Sequence, residues 1–284
     1  NAASREWLEA RGVKTASCDL LDANAIARLP DADNIIYLVG LCVTFFSSYF
    51  IEDGEKVNRA PYYSLILTSV SAMCGIVTSG DFFTLYIFVE VLAVTSFALI
   101  TSDDSPNGLE GAIKYFLLTF PASLFILFGI AFLLLTAGTF SFENIKLIIA
   151  SGRPAGAVVF AVSLILLGFL IKSGVVPFHA WLPDACEGAY APVSAYLAGI
   201  VTKISGVYAV IKISMLLRLF ESGAYPTADI LMFLGILSIA VGALAAMRQK
   251  EFKRMLAFSS ISQIGYIILA AGMGTPLAIL GAIF

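Results

Sequence analysis

The chain contains little of what a soluble enzyme or a metalloprotein uses. Only 13% of its 284 residues are charged, whereas soluble domains average about a quarter. A single histidine, His179, is present, and the four cysteines show no C-x-x-C spacing. These shortages exclude the usual zinc and iron–sulfur ligand sets, so we predict no metal site. The net charge of −3 does not favour nucleic acid as a partner.

Apolar residues are abundant instead. They make up 59% of the chain, and the mean hydropathy is +0.92. Runs of about 20 apolar residues, the length that crosses a bilayer, recur from residue 35 onward, and polar loops separate them. We therefore predict an all-α, polytopic transmembrane helix bundle in a lipid bilayer. The predicted spans are at about 35–51, 62–80, 82–101, 109–137, 156–176, 191–217, 228–247 and 255–273, with another beginning near 276.

Lysine and arginine residues near the span ends are divided unequally between the two sides of this predicted topology. One side carries Lys56, Arg59, Arg248, Lys250, Lys253 and Arg254. The other side carries Lys146, Arg153 and Arg218. Because basic loop residues are retained on the cytoplasmic side of a membrane, we expect the first side to be cytoplasmic.

The first 33 residues are more polar and form a soluble-looking segment. A predicted short strand at 13–17 and an amphipathic helix resemble the middle of a short-chain dehydrogenase or epimerase nucleotide fold, with Asp19 near the adenine. No G-x-G-x-x-G precedes them, so the phosphate-binding turn is absent. We interpret residues 1–33 as a polar tail, a nucleotide-fold remnant or a stretch from a misjoined gene, and expect no cofactor. Residues 35–51 are either a β-strand with the junction to the membrane domain or a true membrane span.

Two charged residues lie at the centre of predicted spans. Glu90 is eight residues into the span at 82–101, about 12 Å from its start, and Lys203 is similarly central in 191–217. A charge at mid-bilayer costs several kcal/mol unless it faces a polar interior. We therefore favour a functional role for Glu90 and Lys203 over an incidental buried pair.

The stretch GFLIKSGVVPFHAWLPDA predicts a broken membrane helix. Pro177 removes a backbone donor and Gly174 loosens the preceding turn, so the freed carbonyls need partners inside the protein or water. Such breaks line ion paths in transporters. Lys172, just before the break, either belongs to such a path or extends its ammonium toward the membrane surface. His179 either relays protons, since imidazole changes charge near neutral pH, or hydrogen-bonds a freed carbonyl.

Several long motifs resemble one family of membrane proteins. They are KSGVVPFHAWLPDA, APVSAYLAGIVTKISGVYAVIK, RQKEFKRMLAFSSISQIGYIILAAGMG, SGDFFTLYIFVEVLAVTSFALI and GAIKYFLLT. Over residues 60–284 the chain resembles the proton-conducting, antiporter-like subunits of respiratory complex I, of membrane-bound hydrogenases and of Mrp-type Na+/H+ antiporters. Members of this family have about fourteen helices with two inverted five-helix repeats, each with a broken helix and a half-channel.

The resemblance implies roles for the ionisable residues. By resemblance, residues 62–80 form the fourth helix, and Glu90 lies on the fifth, Lys114 on the sixth, Lys172 on the broken seventh and Lys203 on the eighth. Glu90 is then the carboxylate paired with Lys172, and Lys203 passes protons onward. His179 matches the family's P-F/L-H-x-W-L-P-D-A motif. Considered from the residues alone, Lys114 follows Glu110 by one turn, a spacing that often only supports a helix surface.

Three features depart from the family pattern. The first two helices are absent or replaced by residues 1–33, and the sequence stops before the eleventh and twelfth helices that carry the second half-channel. Since it also begins at Asn1 rather than at a methionine, we expect residues 34–284 to be a truncated transmembrane domain that alone does not couple proton flow. Cys186 follows LPDA where several branches have histidine, which argues against a proton relay at that position.

Two functions follow from the resemblance, and two others compete with them. The first is a proton-translocating subunit of a redox-driven complex in a prokaryotic inner membrane, with other membrane subunits as partners and no redox centre of its own. The second is a subunit of an Mrp-type antiporter, which moves Na+ against H+ without a redox partner. The neighbouring genes distinguish these two functions. The third function, a nucleotide-dependent epimerase remnant, is supported by residues 1–40 alone. The fourth, a scaffold that transports nothing, conflicts with the presence of three ionisable residues deep in the predicted membrane spans.

We predict that residues 1–33 do not bind NAD+ or NADP+, because the glycine turn that holds the pyrophosphate is absent. Calorimetric titration of the chain with either dinucleotide should show no saturable heat. Saturation at micromolar ligand would contradict this prediction.

Overall fold

The protein, in a computed structural model, is an all-α bundle. The structure describes residues 31–52, 59–102, 105–150, 156–217 and 227–283. These ranges contain no β-strand, and one isolated bridge joins Asp81 to Ser141. The strand predicted at 13–17, together with Asp19 and nearly all of the segment 1–33, lies outside the described residues.

Eleven helices follow one another within the described ranges. They are α1 Asp31–Glu52, α2 Arg59–Thr78, α3 Phe82–Thr101, α4 Pro106–Ala137, α5 Phe142–Ala150, α6 Gly156–Ser173, α7 Trp181–Gly188, α8 Ala191–Leu216, α9 Thr227–Met247, α10 Phe252–Gly272 and α11 Pro276–Ile283. Seven segments are long and apolar enough to cross a membrane: α2, α3, α4, α6 with α7, α8, α9 and α10. The predicted polytopic membrane bundle is therefore confirmed.

Helix α1 covers residues 35–51, for which the sequence left two interpretations open, and its apolar part, Ile36–Tyr49, is shorter than the seven candidate spans. The whole stretch is helical, so the interpretation as a strand with a junction is wrong. A lone strand would leave its N–H and C=O groups unpaired in an apolar setting, whereas a helix pairs them internally. The helix packs Ile36 into the bundle core, and its Ser47 hydroxyl lies 3.0 Å from the hydroxyl of Tyr62 on α2. Since α1 begins at Asp31, the expected boundary at 33/34 falls within its first turn.

The turn between α2 and α3 is closed by Asp81. Its carboxylate caps α3, with Oδ1 accepting from the Thr84 N–H at 2.7 Å and Oδ2 from the Thr84 hydroxyl at 2.8 Å. The Phe82 N–H also donates to the Phe140 carbonyl at 3.0 Å. This end of the bundle, opposite the one that carries Arg248 and Lys250, is therefore fastened across two helix connections.

Helix α8 departs from regular α-helical geometry in its middle. It contains two π-helical runs, Leu197–Val201 and Lys203–Tyr208, between α-helical ends. A π turn widens the helix and leaves backbone groups outside the usual i to i−4 ladder. Neither apolar periodicity nor a proline signals these turns in the sequence.

Helices α4 and α6 make a close contact through two glycines. A side chain at Gly168 of α6 would lie 2.6 Å from the Ala122 carbonyl oxygen of α4. A side chain at Gly129 of α4 would lie 2.7 Å from the Ala161 carbonyl oxygen of α6. Because backbone lies against backbone here, neither helix can move aside without disturbing the bundle core, and this packing holds the helix that carries Lys172.

We expect Gly168→Val to destabilise the bundle, because overpacking a close helix contact costs about 1–3 kcal/mol. Its thermal unfolding midpoint in detergent should fall by several degrees. Gly156→Val is the matched control, because a side chain there meets no atom within 4 Å. Equal midpoints for the two variants would show that the close contact is unimportant.

Candidate functional site: a chain of buried charges

The predicted break divides α6 from α7. Helix α6 ends one residue after Lys172, Gly174 adopts a left-handed conformation with φ of 71°, and the Val176–Pro177 peptide bond is cis. The Val176 N–H, which lies outside the helical ladder, donates to the Ser238 hydroxyl of α9 at 3.0 Å. The break is thus held inside the protein by a polar side chain from another helix, as helix interruptions in membranes require.

Glu90 and Lys172 form an ion pair across α3 and α6. The Lys172 ammonium lies 3.1 Å from Oε1 of Glu90. The lysine side chain is 3% exposed and the glutamate side chain 29%. The lysine is therefore buried, whereas the glutamate is partly accessible. A buried ammonium without a counter-ion costs several kcal/mol, which makes the carboxylate necessary for the charged lysine. The pairing expected from the resemblance is present in the structure.

Lys203 has a different kind of environment. Its ammonium lies within the π-helical part of α8 and donates to the Ala198 carbonyl and, at 2.5 Å, to the Ser260 hydroxyl of α10. Ser260 in turn donates to the Ala198 carbonyl at 3.1 Å. No carboxylate pairs with Lys203 within the described ranges. This ammonium is therefore held only by neutral oxygens, which can also accommodate an uncharged amine.

The helices that carry Lys172 and Lys203 are in direct contact. Gly206 of α8 lies against Ser173 of α6 so closely that a side chain there would overlap the Ser173 backbone. Lys172 precedes Ser173, and Lys203 lies three residues before Gly206. Lys172, which has a carboxylate partner, and Lys203, which has none in the described ranges, thus lie on helices that touch each other.

His179 lies just beyond the break, in the short 3₁₀ turn Phe178–Ala180. Its ring centroid is 6.2 Å from that of Phe258 on α10. Its Nδ1 atom is buried and has no hydrogen-bond partner in the part of the chain that the structure describes. A buried polar atom of this kind is uncommon, and a proton-relay role for His179 stays a prediction.

Lys114 lies apart from Glu90, Lys172 and Lys203. Its ammonium lies 2.7 Å from Glu110 and 2.8 Å from Asp184, and Arg254 of α10 lies 2.9 Å from Asp184 and 2.7 Å from Glu187. These residues line an open cavity of about 150 Å³ at one end of the bundle. The i, i+4 pair expected from the sequence is present, and Asp184 of α7 extends it into a cluster that joins α4, α7 and α10.

Sequence reasoning missed several members of this arrangement. Asp184 and Arg254 both lie within the quoted motifs, so their charge was the available signal for an ion pair. Ser238 and Ser260 carry no such signal, because a serine in a membrane helix usually hydrogen-bonds its own backbone. Only the packing of α9 and α10 shows which backbone group or ammonium each serine also meets.

Residues 79–284 match the family described as NADH:quinone oxidoreductase/Mrp antiporter, transmembrane. The chain belongs to that family. Glu90, Lys172, His179 and Lys203 all lie inside the matched region, and the resemblance inferred from the motifs is confirmed.

Named relatives come from both branches of the family. A NADH-quinone oxidoreductase subunit N of Desulforudis audaxviator is 30% identical over 89% of this chain and 51% of its own length. A Na(+)/H(+) antiporter subunit of Alkalihalophilus pseudofirmus is 30% identical over 87% and 49% respectively. A chain of the membrane-bound sulfane sulfur reductase, an archaeal respiratory membrane complex, superposes with a TM-score of 0.74 at 29% identity, over 84% of this chain and 49% of that one. The chain spans about half the length of the curated relatives it matches.

We predict that Asp184→Asn in this family member lowers its thermal stability, because one carboxylate neutralises two cations from different helices. The unfolding midpoint in detergent should fall by several degrees. Glu110→Gln, the matched control, removes a carboxylate that pairs within a single helix turn and should change the midpoint little, as exposed i, i+4 pairs contribute little. Equal effects of both variants would contradict a bridging role for Asp184.

Proposed function

We propose that this chain translocates protons across the membrane as one subunit of a multi-subunit, redox-driven complex. The observation that carries the proposal is the Glu90–Lys172 ion pair at the end of a broken membrane helix. A buried, paired ammonium beside a helix break is costly to maintain, and its chemistry suits a group that exchanges a proton inside the membrane. The matched family and its respiratory relatives support the same function.

The proposed transfer uses three side chains in sequence. With Glu90 close, Lys172 holds its proton as an ammonium. When the two helices separate slightly, the ammonium loses its counter-ion and gives its proton to the neutral amine of Lys203. Lys203 then carries the charge, stabilised by the Ala198 carbonyl and the Ser260 hydroxyl, and becomes a neutral amine again when it passes the proton onward. Lys172 is left as a neutral amine and takes up the next proton when Glu90 returns.

The remaining predicted residues take places on either side of this step. We assign His179, beside the break, to the path by which protons reach Lys172, since imidazole can both accept and donate a proton. We assign Lys114, with Asp184, to the surface of the bundle where the open polar cavity collects protons. The chain supplies no redox group in this proposal, and partner proteins carry out the redox chemistry.

Two further assignments complete the proposal. The chain is a multi-pass membrane protein, and we place it in the cytoplasmic membrane of a prokaryote with the Arg248–Lys250 end inside, following the distribution of basic residues. We divide it into residues 1–33, a soluble-looking segment, and residues 34–284, the proton-conducting domain.

A second function is supported by the antiporter relative. The Na(+)/H(+) antiporter protein of Alkalihalophilus pseudofirmus matches nearly the same span of the chain at 30% identity. In that case the same series of proton transfers, through Glu90, Lys172 and Lys203, would serve an exchange of H+ for Na+ without a redox partner. Proton transport that follows substrate oxidation supports the redox-driven complex, and proton transport driven by a Na+ gradient alone supports the antiporter.

We predict that Glu90→Ala lowers proton translocation more than about tenfold. The unpaired Lys172 ammonium would cost several kcal/mol, and tenfold corresponds to only about 1.4 kcal/mol. Glu90→Asp should keep part of the activity, and Lys203→Ala should block transport because the acceptor is lost. Transport is measured in inverted membrane vesicles from cells with the variant at the chromosomal locus, and blotting measures the amount of complex. Normal transport by Glu90→Ala at normal amounts of complex would falsify the proposed role.

A further inference from the structure

We propose that Lys212 is a positioning residue that holds Glu90 in register with Lys172. It does so by fastening the turn between α2 and α3 to helix α8. The proposal rests on the proton-translocating function, because that function gives the register of the pair its importance. Lys212 itself takes no part in proton transfer.

The Lys212 ammonium is bound by the end of another helix. It donates to the carbonyls of Ile76 at 3.2 Å, Val77 at 2.9 Å and Ser79 at 2.8 Å, and it lies 3.2 Å from the Ser79 hydroxyl. These carbonyls lie at the C-terminal end of α2, where a helix leaves acceptors unsatisfied and carries partial negative charge. Lys212 therefore closes the end of α2 from α8.

The surroundings of Lys212 differ from those of a lysine that only anchors a helix at the membrane surface. An anchoring lysine extends its ammonium into water. Here the ammonium points into the bundle, 5.7 Å from the ring centroid of Phe142 and 5.8 Å from that of Tyr208. No carboxylate pairs with it among the residues described. Its contacts are thus specific to one turn of the protein.

The turn that Lys212 binds sets the position of α3. Ser79 lies two residues before Asp81, which caps α3, and Glu90 lies eight residues into that helix, about 12 Å along it. The residues from Phe82 to Glu90 form one continuous stretch of α-helix. A shift of the turn therefore moves the Glu90 carboxylate by a similar amount.

Helix α8 is attached close to both partners of the ion pair, to the turn before α3 and to the end of α6. Through Lys212 it holds the turn that begins α3, and through the close contact of Gly206 with Ser173 it holds the end of α6 beside Lys172. Because the ion pair is 3.1 Å long, α3 and α6 can shift relative to each other by only a small part of a side-chain length before the pair is lost. Attachment of both helices to α8 limits such shifts, and α8 also carries the proton acceptor Lys203.

The turn has other attachments that preserve the fold without Lys212. The Phe82 N–H donates to the Phe140 carbonyl at 3.0 Å, and Asp81 forms a bridge with Ser141. Loss of Lys212 should therefore loosen the turn rather than unfold the protein. The expected defect is a displacement of the Glu90 carboxylate relative to the Lys172 ammonium.

The test compares Lys212→Met with Lys212→Arg and with Lys250→Met, all introduced at the chromosomal locus so that the full chain and its partners are present. Lys250 is an exposed lysine at the other end of the bundle, so Lys250→Met is a control for the loss of one positive charge. We expect a severalfold loss of proton translocation per amount of complex in Lys212→Met. Lys212→Arg should keep most of the transport, since a guanidinium can also donate to carbonyls, and Lys250→Met should keep all of it.

The second readout reports on Glu90 directly. Infrared difference spectra of the purified complex identify the Glu90 carboxylate band by its loss in Glu90→Gln. We expect Lys212→Met to shift this band and Lys250→Met to leave it in place, because only the former changes the distance to Lys172. If Lys212→Met does not accumulate, Lys212→Gln, which can still donate one hydrogen bond, should show a smaller shift in the same direction.

The outcomes separate the two proposals. An unchanged Glu90 band in Lys212→Met, or unimpaired transport, overturns the positioning role. A lower amount of complex with normal transport per complex and an unchanged band also overturns it, since that is the result of a merely structural lysine. If Glu90→Gln itself transports normally, the proposed function fails, while a shifted band in Lys212→Met still supports the positioning role.

Discussion

An ammonium group buried in an apolar bundle needs a counter-ion, and the placement of Lys172 imposes that constraint on the helices around it. Its side chain is almost wholly enclosed, and its counter-ion comes from a different helix, through Glu90. Two helices must therefore keep a fixed register over half a membrane. The glycine contacts between α4 and α6, and the contact of Gly206 with Ser173, provide the close packing that such a register needs.

The helix break beside Lys172 imposes a second constraint on the structure. Ending α6 at Ser173 leaves backbone groups without partners in a region where water is scarce. Ser238 of α9 takes up one of them, the N–H of Val176. The π turns of α8 serve the other lysine, since the ammonium of Lys203 binds a carbonyl of the same widened helix. Irregular backbone thus occurs next to both lysines, each time satisfied by protein groups.

The parts of the site that sequence could predict are those with a local cause. The cost of a charge in a membrane span distinguishes Glu90 and Lys203, and the effect of Pro177 on a helix predicts the break. The partner of Lys114 could be predicted only in part: the contact with Glu110 follows from helical spacing, but the contact with Asp184 crosses from α4 to α7. Residues 35–51 were open in sequence because they directly follow a segment that resembles a nucleotide fold, in which a strand would come next.

The sequence by itself determined the class of the protein: a multi-pass helical bundle with a broken helix and a few deep charges. Those features depend on hydropathy, on backbone donors and on the cost of moving a charge out of water, all of which act residue by residue. Tertiary structure alone decided which oxygens the ammonium groups of Lys203 and Lys212 meet. Lys203 and Lys212 lie nine residues apart on one helix, yet the first binds within α8 and to α10, and the second binds the end of α2. The reason is physical: a lysine's partners are whatever acceptors its helix neighbours present, and helix packing, not the local chain, selects those neighbours.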